Sequence, residues 1–141
     1  MGQGTDSIES FDDVEGEWAV RSHNKQFEHD YVDFTVVSID SETYCFGGRL
    51  VETSYSSGEV YRVFNYKLYR FGQSMLSPRR NHVTLVSNET IVHIGGDECQ
   101  PFEIWEQTEV GVFNIRKTKT CLPTWSKYPN SFLLDWTYTY Y

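Results

Sequence analysis

The stretches Tyr44-Cys45-Phe46-Gly47-Gly48 and Val92-His93-Ile94-Gly95-Gly96 stand 48 residues apart and decide the fold. Each follows a β-branched block, Thr35-Val36-Val37-Ser38 in the first case and Thr84-Leu85-Val86-Ser87 in the second, 49 residues on. Downstream of each Gly-Gly pair lie Glu59-Val60-Tyr61 and Glu103-Ile104-Trp105, at an offset of 44. Leu68-Tyr69-Arg70-Phe71 and Val112-Phe113-Asn114-Ile115 follow at the same offset. Four matched blocks in one order mark an internal repeat. The offsets change only between blocks, in connectors rich in Ser, Gly, Asp, Glu and Pro, where loop length is free to vary.

Every block is short, β-branched or aromatic, and bounded by turn formers, so each is predicted to be a strand. The first strands fall near 33–38 and 82–87, the second near 43–47 and 91–95. The third fall near 59–64 and 102–106, the fourth near 67–72 and 110–116. Short turns at Asp40-Ser41-Glu42 and Asn88-Glu89 join the first two strands of each unit, which predicts antiparallel hairpins in a meander. A strongly twisted sheet crowds its inner strands. Glycine pairs suit that crowding, because without a Cβ the backbone reaches positive φ at little steric cost. Aromatics on the third and fourth strands are placed to wedge between neighbouring sheets.

These blocks resemble kelch repeats. The family pattern is an apolar strand ending in Gly-Gly, a variable loop, two spaced aromatics, then Arg and a His-like position opening the next unit. Here it is met by Gly47-Gly48, Tyr61, Tyr69, Met75, Arg79/Arg80 and His82, and again by Gly95-Gly96, Trp105 and Phe113. The resemblance covers residues 33–116, with Trp18 placed as the outer-strand aromatic of a preceding unit. The sequence departs from the pattern where Tyr69 and Phe113 stand in the usual Trp position, and where no Arg precedes the first unit. The resemblance implies an all-β chain of kelch-type β-propeller blades, each a four-stranded antiparallel sheet, in an incomplete or open propeller. Propellers close with four to eight blades, and only two complete units are present, at about 33–80 and 82–122. It further implies a non-enzymatic protein-protein interaction module, binding a partner through the blade loops Arg49–Ser57 and Asp97–Pro101. Open blade faces add an expectation of self-association. A secreted matrix or carbohydrate-binding propeller fragment is the alternative.

Composition sharpens the expectation. The 141 residues carry a net charge of −8 and 16% aromatics. Acidic balance repels phosphate backbones and anionic lipid, so neither nucleic acid nor a membrane surface is an expected partner. No apolar run nears the roughly 18 residues of a membrane span. The opening Met1-Gly2-Gln3-Gly4-Thr5-Asp6 lacks the basic and apolar regions of a secretory signal, and Asp6 fails the myristoylation pattern. Residues 1–17 carry six acids and no base, which predicts a solvated, disordered leader ahead of a propeller segment over 18–141. The alternating tail Ser131–Tyr141 predicts a further strand near 131–140.

Catalytic, metal and cofactor sites are expected to be absent. Cys45, Cys99 and Cys121 show no Cys-x-x-Cys spacing, and a reduced, cytoplasmic chain is the simplest expectation. A Cys99–Cys121 pair remains open should the chain meet an oxidising compartment. His82 has no nucleophile assignable by motif, and with Arg79 it is expected to hold the connection between blades by bonding to backbone. His93, Asp97, Glu98 and Cys99 come nearest to a ligand cluster, but without paired His or Cys spacing zinc is not expected. His93, whose repeat-mate is Cys45, is expected to pack. Asn88-Glu89-Thr90 matches the N-glycosylation triplet.

Overall fold

Strands rich in Val, Ile, Tyr and Phe, closed by Asp-Ser, Asn-Tyr and Asn-Glu turns, fold into an all-β chain of antiparallel sheets. The computed structural model describes residues 8–22, 30–97 and 100–121. In these lie β1 (Ile8–Asp12), β2 (Glu17–Ser22), β3 (Tyr31–Val32), β4 (Thr35–Ile39), β5 (Glu42–Phe46) and β6 (Arg49–Leu50). They are followed by β7 (Val60–Phe64), β8 (Lys67–Arg70), β9 (Val83–Ser87), β10 (Thr90–Ile94), β11 (Pro101–Glu109) and β12 (Val112–Cys121). Two four-stranded sheets run in the orders β4-β5-β7-β8 and β9-β10-β11-β12, and β1-β2 and β3-β6 form two-stranded sheets. None of these sheets closes on itself.

The two large sheets share one topology, with tight hairpins after the first and third strands and a longer loop after the second. Asp40 and Ser41 (φ 49° and 65°) and Asn65 and Tyr66 (φ 49° and 59°) both take left-handed backbone. That is the primed turn whose twist matches a hairpin. Both Gly-Gly pairs have positive φ, at 66° and 93° in the first and 71° and 129° in the second. A Cβ on Gly47 would stand 2.5 Å from the Arg79 carbonyl oxygen, and one on Gly48 would stand 2.6 Å from that of Val32. The incoming connector therefore lies directly on the first pair, and Gly48 N–H donates to the Arg79 carbonyl at 2.9 Å.

Register sorts the side chains into faces. Thr35↔Phe46, Val37↔Tyr44 and Phe46↔Val60 put Val37, Tyr44, Phe46 and Val60 on one face of the first sheet. Val86↔Ile91, Ile91↔Trp105 and Gln107↔Phe113 put Ile91, Trp105 and Phe113 on one face of the second. These faces meet in a single buried cluster that also takes in Ile39 and Met75. Phe46 meets Trp105 edge-on with centroids 5.1 Å apart, and Tyr44 meets Phe113 at 5.6 Å. Edge-to-face geometry of this kind adds to simple area burial. The sheets also touch along their first strands, where the Thr35 and Thr84 hydroxyls lie 2.6 Å apart. The other face of the first sheet is covered by a smaller cluster of Tyr31, Phe34, Cys45 and Tyr61.

Three features differ from the sequence expectations. The acidic leader was expected to be disordered over 1–17, yet Ile8–Asp12 is β1, paired with β2. Phe11 stacks on Trp18 at 5.3 Å, the Asp12 carboxylate accepts from the Val14 and Glu15 amides at 2.9 and 3.1 Å, and Gly16 turns the chain with φ 70°. A charge count overlooks such an Asx-type turn flanked by facing aromatics. β3 and β6, with two residues each, are too short to leave a periodic signature. β11 and β12 outrun their expected ends because Gln107–Glu109 and Lys117–Thr120 are polar, and an exposed ladder needs no apolar alternation. Residues 1–7 and the strand expected near 131–140 lie outside the described residues.

Candidate interaction surface and its buried support

The connector between the two large sheets, Gly72–His82, is anchored from beneath by a buried ion pair. Arg79 and Glu103 are fully buried. Arg79 Nη1 donates to the Gly95 carbonyl at 3.0 Å and Nη2 to the Pro101 carbonyl at 2.8 Å. Nη2 lies 3.8 Å from the Glu103 carboxylate. That carboxylate accepts from the amides of Leu76 (2.8 Å) and Ser77 (3.1 Å) and from Trp105 Nε1 (2.8 Å). Burial draws the Arg79 pKa down while Glu103 opposes it; a guanidinium nonetheless stays charged. Glu103 thus fixes the connector to the second sheet while Arg79 ties it to both ends of the loop after β10.

Beside the pair runs a chain of hydrogen bonds across the sheet junction. His82 Nε2 meets the Thr35 hydroxyl at 3.1 Å, Thr35 meets Thr84, and Thr84 meets His93 Nδ1 at 2.9 Å. His93 also packs against Phe46 at 4.4 Å. The His82 pKa is pushed down to about 3, by burial first and then by the Arg79 charge. That of His93 is pushed well below its ordinary value by burial, His82 and Arg79. Both rings are neutral in the folded protein. Unfolding frees them to bind protons near pH 6.5, so stability is full above that pH and falls as pH drops from 6.5 toward 3. Both histidines act in this direction, His82 down to about pH 3 and His93 in the same sense. Urea midpoints at pH 7.5 and pH 5 are expected to differ accordingly, and His82→Gln should flatten the difference; equal slopes in wild type and variant would contradict it.

Above this support the loops after β5 and β10 emerge at the same end. Arg49 pairs with Asp33 at 2.7 Å, and the Ser54 amide donates to the Leu50 carbonyl at 2.8 Å. Residues 51–55 are exposed, Tyr55 by 75% and Val51 by 48%. Arg80 pairs with the Asp97 carboxylate, and its Nη1 donates to the Ser54 carbonyl at 2.8 Å. Asn81 Nδ2 donates to Asp97 Oδ1 at 2.9 Å. Burial alone would raise the Asp97 pKa, but hydrogen bonds from Asn81 and Arg80 and the charges of Arg80 and Arg49 hold it low. Gln100 Nε2 donates to the Pro78 carbonyl at 2.9 Å. Two loops from different repeats are thereby joined through Arg80 into one polar rim, with Tyr55 projecting from it.

Of the residues singled out in the sequence, Arg79 bonds backbone as expected of an inter-sheet clamp, whereas His82 bonds a threonine hydroxyl instead. The nearest ligand cluster divides: His93 is bonded to Thr84 in the core, and Asp97 is held by Arg80 and Asn81 on the rim. Glu98 and Cys99 lie outside the described residues. Among the described residues, no three His, Cys, Asp or Glu side chains are grouped to hold a metal ion, and no helix is long and apolar enough to cross a membrane. Cys45 is a buried free thiol whose pKa burial pushes up to about 12. Cys121 is disulfide-bonded; Cys99, its candidate partner, is outside the described residues. Tyr55 and the Arg80–Ser54 link left no motif. Their one sequence signal is an aromatic inside the connector whose length differs between units. No family model matches the sequence, and no curated protein matches it.

Proposed function

We propose that the two large sheets are neighbouring kelch-type propeller blades and that the chain is a non-enzymatic interaction module. It would bind a partner protein at the rim formed by Arg49–Ser57 and Asp97–Pro101. The observation that carries this reading is the exposed Tyr55 held on a rim that Arg80 braces to both Asp97 and Ser54. Tyr and Arg dominate interface hot spots, and a braced loop loses little entropy on binding. The row Leu85↔Val92↔Ile104, on the face of the second sheet turned away from the first, is where a further blade or a second copy would pack. The disulfide at Cys121 favours the second reading, a secreted matrix or carbohydrate-binding blade pair, to the extent that it calls for an oxidising compartment.

The test is a quantitative pull-down, read by mass spectrometry, comparing wild type with Tyr55→Ser and with Arg80→Ala. Phe64→Ser, an exposed aromatic in β7 beside the β7–β8 turn, is the control. Loss of the same prey at least tenfold in both rim variants, with prey retained by the control, is the expected result. Prey indifferent to both rim substitutions would overturn the proposal.

A further inference from the structure

Asn88-Glu89-Thr90 is the single Asn-x-Ser/Thr triplet in the sequence, and the fold gives it a definite place. Asn88 and Glu89 form the tip between β9 and β10, Asn88 with φ 51°. Ser87, Asn88 and Glu89 are exposed. The backbone of the tip is fastened, because Glu89 accepts from the Gln107 amide at 2.8 Å. Among the described residues the Asn88 carboxamide makes no hydrogen bond, so substitution there costs little beyond the ease with which Asn takes left-handed backbone.

A second observation points the same way. Cys121 is disulfide-bonded, and such bonds form and persist in the oxidising secretory compartments. Those compartments are where Asn-x-Ser/Thr triplets are modified.

We propose that Asn88 is an N-glycan acceptor and that the chain is decorated at the end of the sheets opposite its loop rim. Gln107 joins the two sheets at that end, its amide to Glu89 and its side chain to the Asp40 carboxylate at 2.6 Å. The turns at Asp40-Ser41 and Asn88-Glu89 are therefore neighbours. Arg80 joins the loops after β5 and β10 at the other end. A glycan on Asn88 leaves that rim uncovered, and nothing in the inference depends on which partner the rim binds. In the transfer, Asn88 Nδ2 forms a bond to the anomeric carbon of a lipid-pyrophosphate-linked oligosaccharide. The bond from that carbon to the pyrophosphate oxygen breaks, the lipid pyrophosphate leaves, and a base of the transferase takes the amide proton.

The experiment directs the full chain into the secretory pathway of an animal cell and reads intact and peptide masses of both secreted and cell-retained protein. A glycan mass on the Asn88 peptide, removed by a peptide-N-glycosidase, is expected. It should vanish in Asn88→Gln and Thr90→Ala and persist in Thr90→Ser. The same digest should show Cys121 oxidised. Because transfer precedes exit from the cell, poor secretion does not obscure the answer. An unmodified Asn88 peptide in both fractions would overturn the proposal.

Discussion

Trp105→Ala is expected to lower the unfolding free energy by about 3–5 kcal/mol, the range of large aromatic truncations in cores. The indole is fully buried and touches the rings of Phe46, Phe113 and His93 at 5.1, 5.4 and 6.0 Å. Removing it leaves a void that sheet residues on either side cannot close, since each is fixed by its ladder. It also takes away the Nε1–H that satisfies Glu103. Urea denaturation followed by far-ultraviolet circular dichroism measures the loss. Trp105→Phe refills most of the volume and should cost clearly less. A midpoint indistinguishable from wild type for the alanine variant would contradict the burial.

Glu103→Ala should cost a comparable amount by a different route, about 3–5 kcal/mol for leaving one member of a buried ion pair uncompensated. Arg79 would keep its charge without a counter-charge, and the amides of Leu76 and Ser77 would lose their acceptor. Glu103→Gln is also expected to destabilise. The two amides address different carboxylate oxygens, so a carboxamide must turn its NH2 toward one of these donors. Removing both partners, as in Arg79→Met with Glu103→Leu, should not restore stability. The carbonyls of Gly95 and Pro101 and the two connector amides would then all be stranded. A double variant as stable as wild type would show that the pair does not hold the connector.

What was legible in the sequence follows from which physical signals repeat. Strands β4, β5 and β7 to β12 fall where the matched blocks place them, because each block carries its own apolar periodicity and its own turn residues. The glycine pairs foretold positive φ, and their reason appeared as well: Gly47 and Gly48 are pressed by the Arg79 and Val32 carbonyls. The β1–β2 hairpin was not legible, since six acids outweigh one Phe11–Trp18 contact in any count of composition. Within the candidate site, Arg79 could be singled out by its place in the repeat. Its partner Glu103 could not, because a glutamate inside a strand usually marks the solvent face. Tyr55 belongs to the connector that differs between the units, so no repeat-mate exists to flag it. Tertiary placement, rather than local pattern, gives both residues their meaning.

The two four-stranded sheets lie face to face through Phe46 and Trp105. A double-mutant cycle with Phe46→Leu and Trp105→Phe, each mild enough to leave the chain folded, measures that contact directly. Rings in contact across the two sheets predict a coupling energy of about 0.5–3 kcal/mol. Strict additivity of the two substitutions, with both single variants folded, would contradict it.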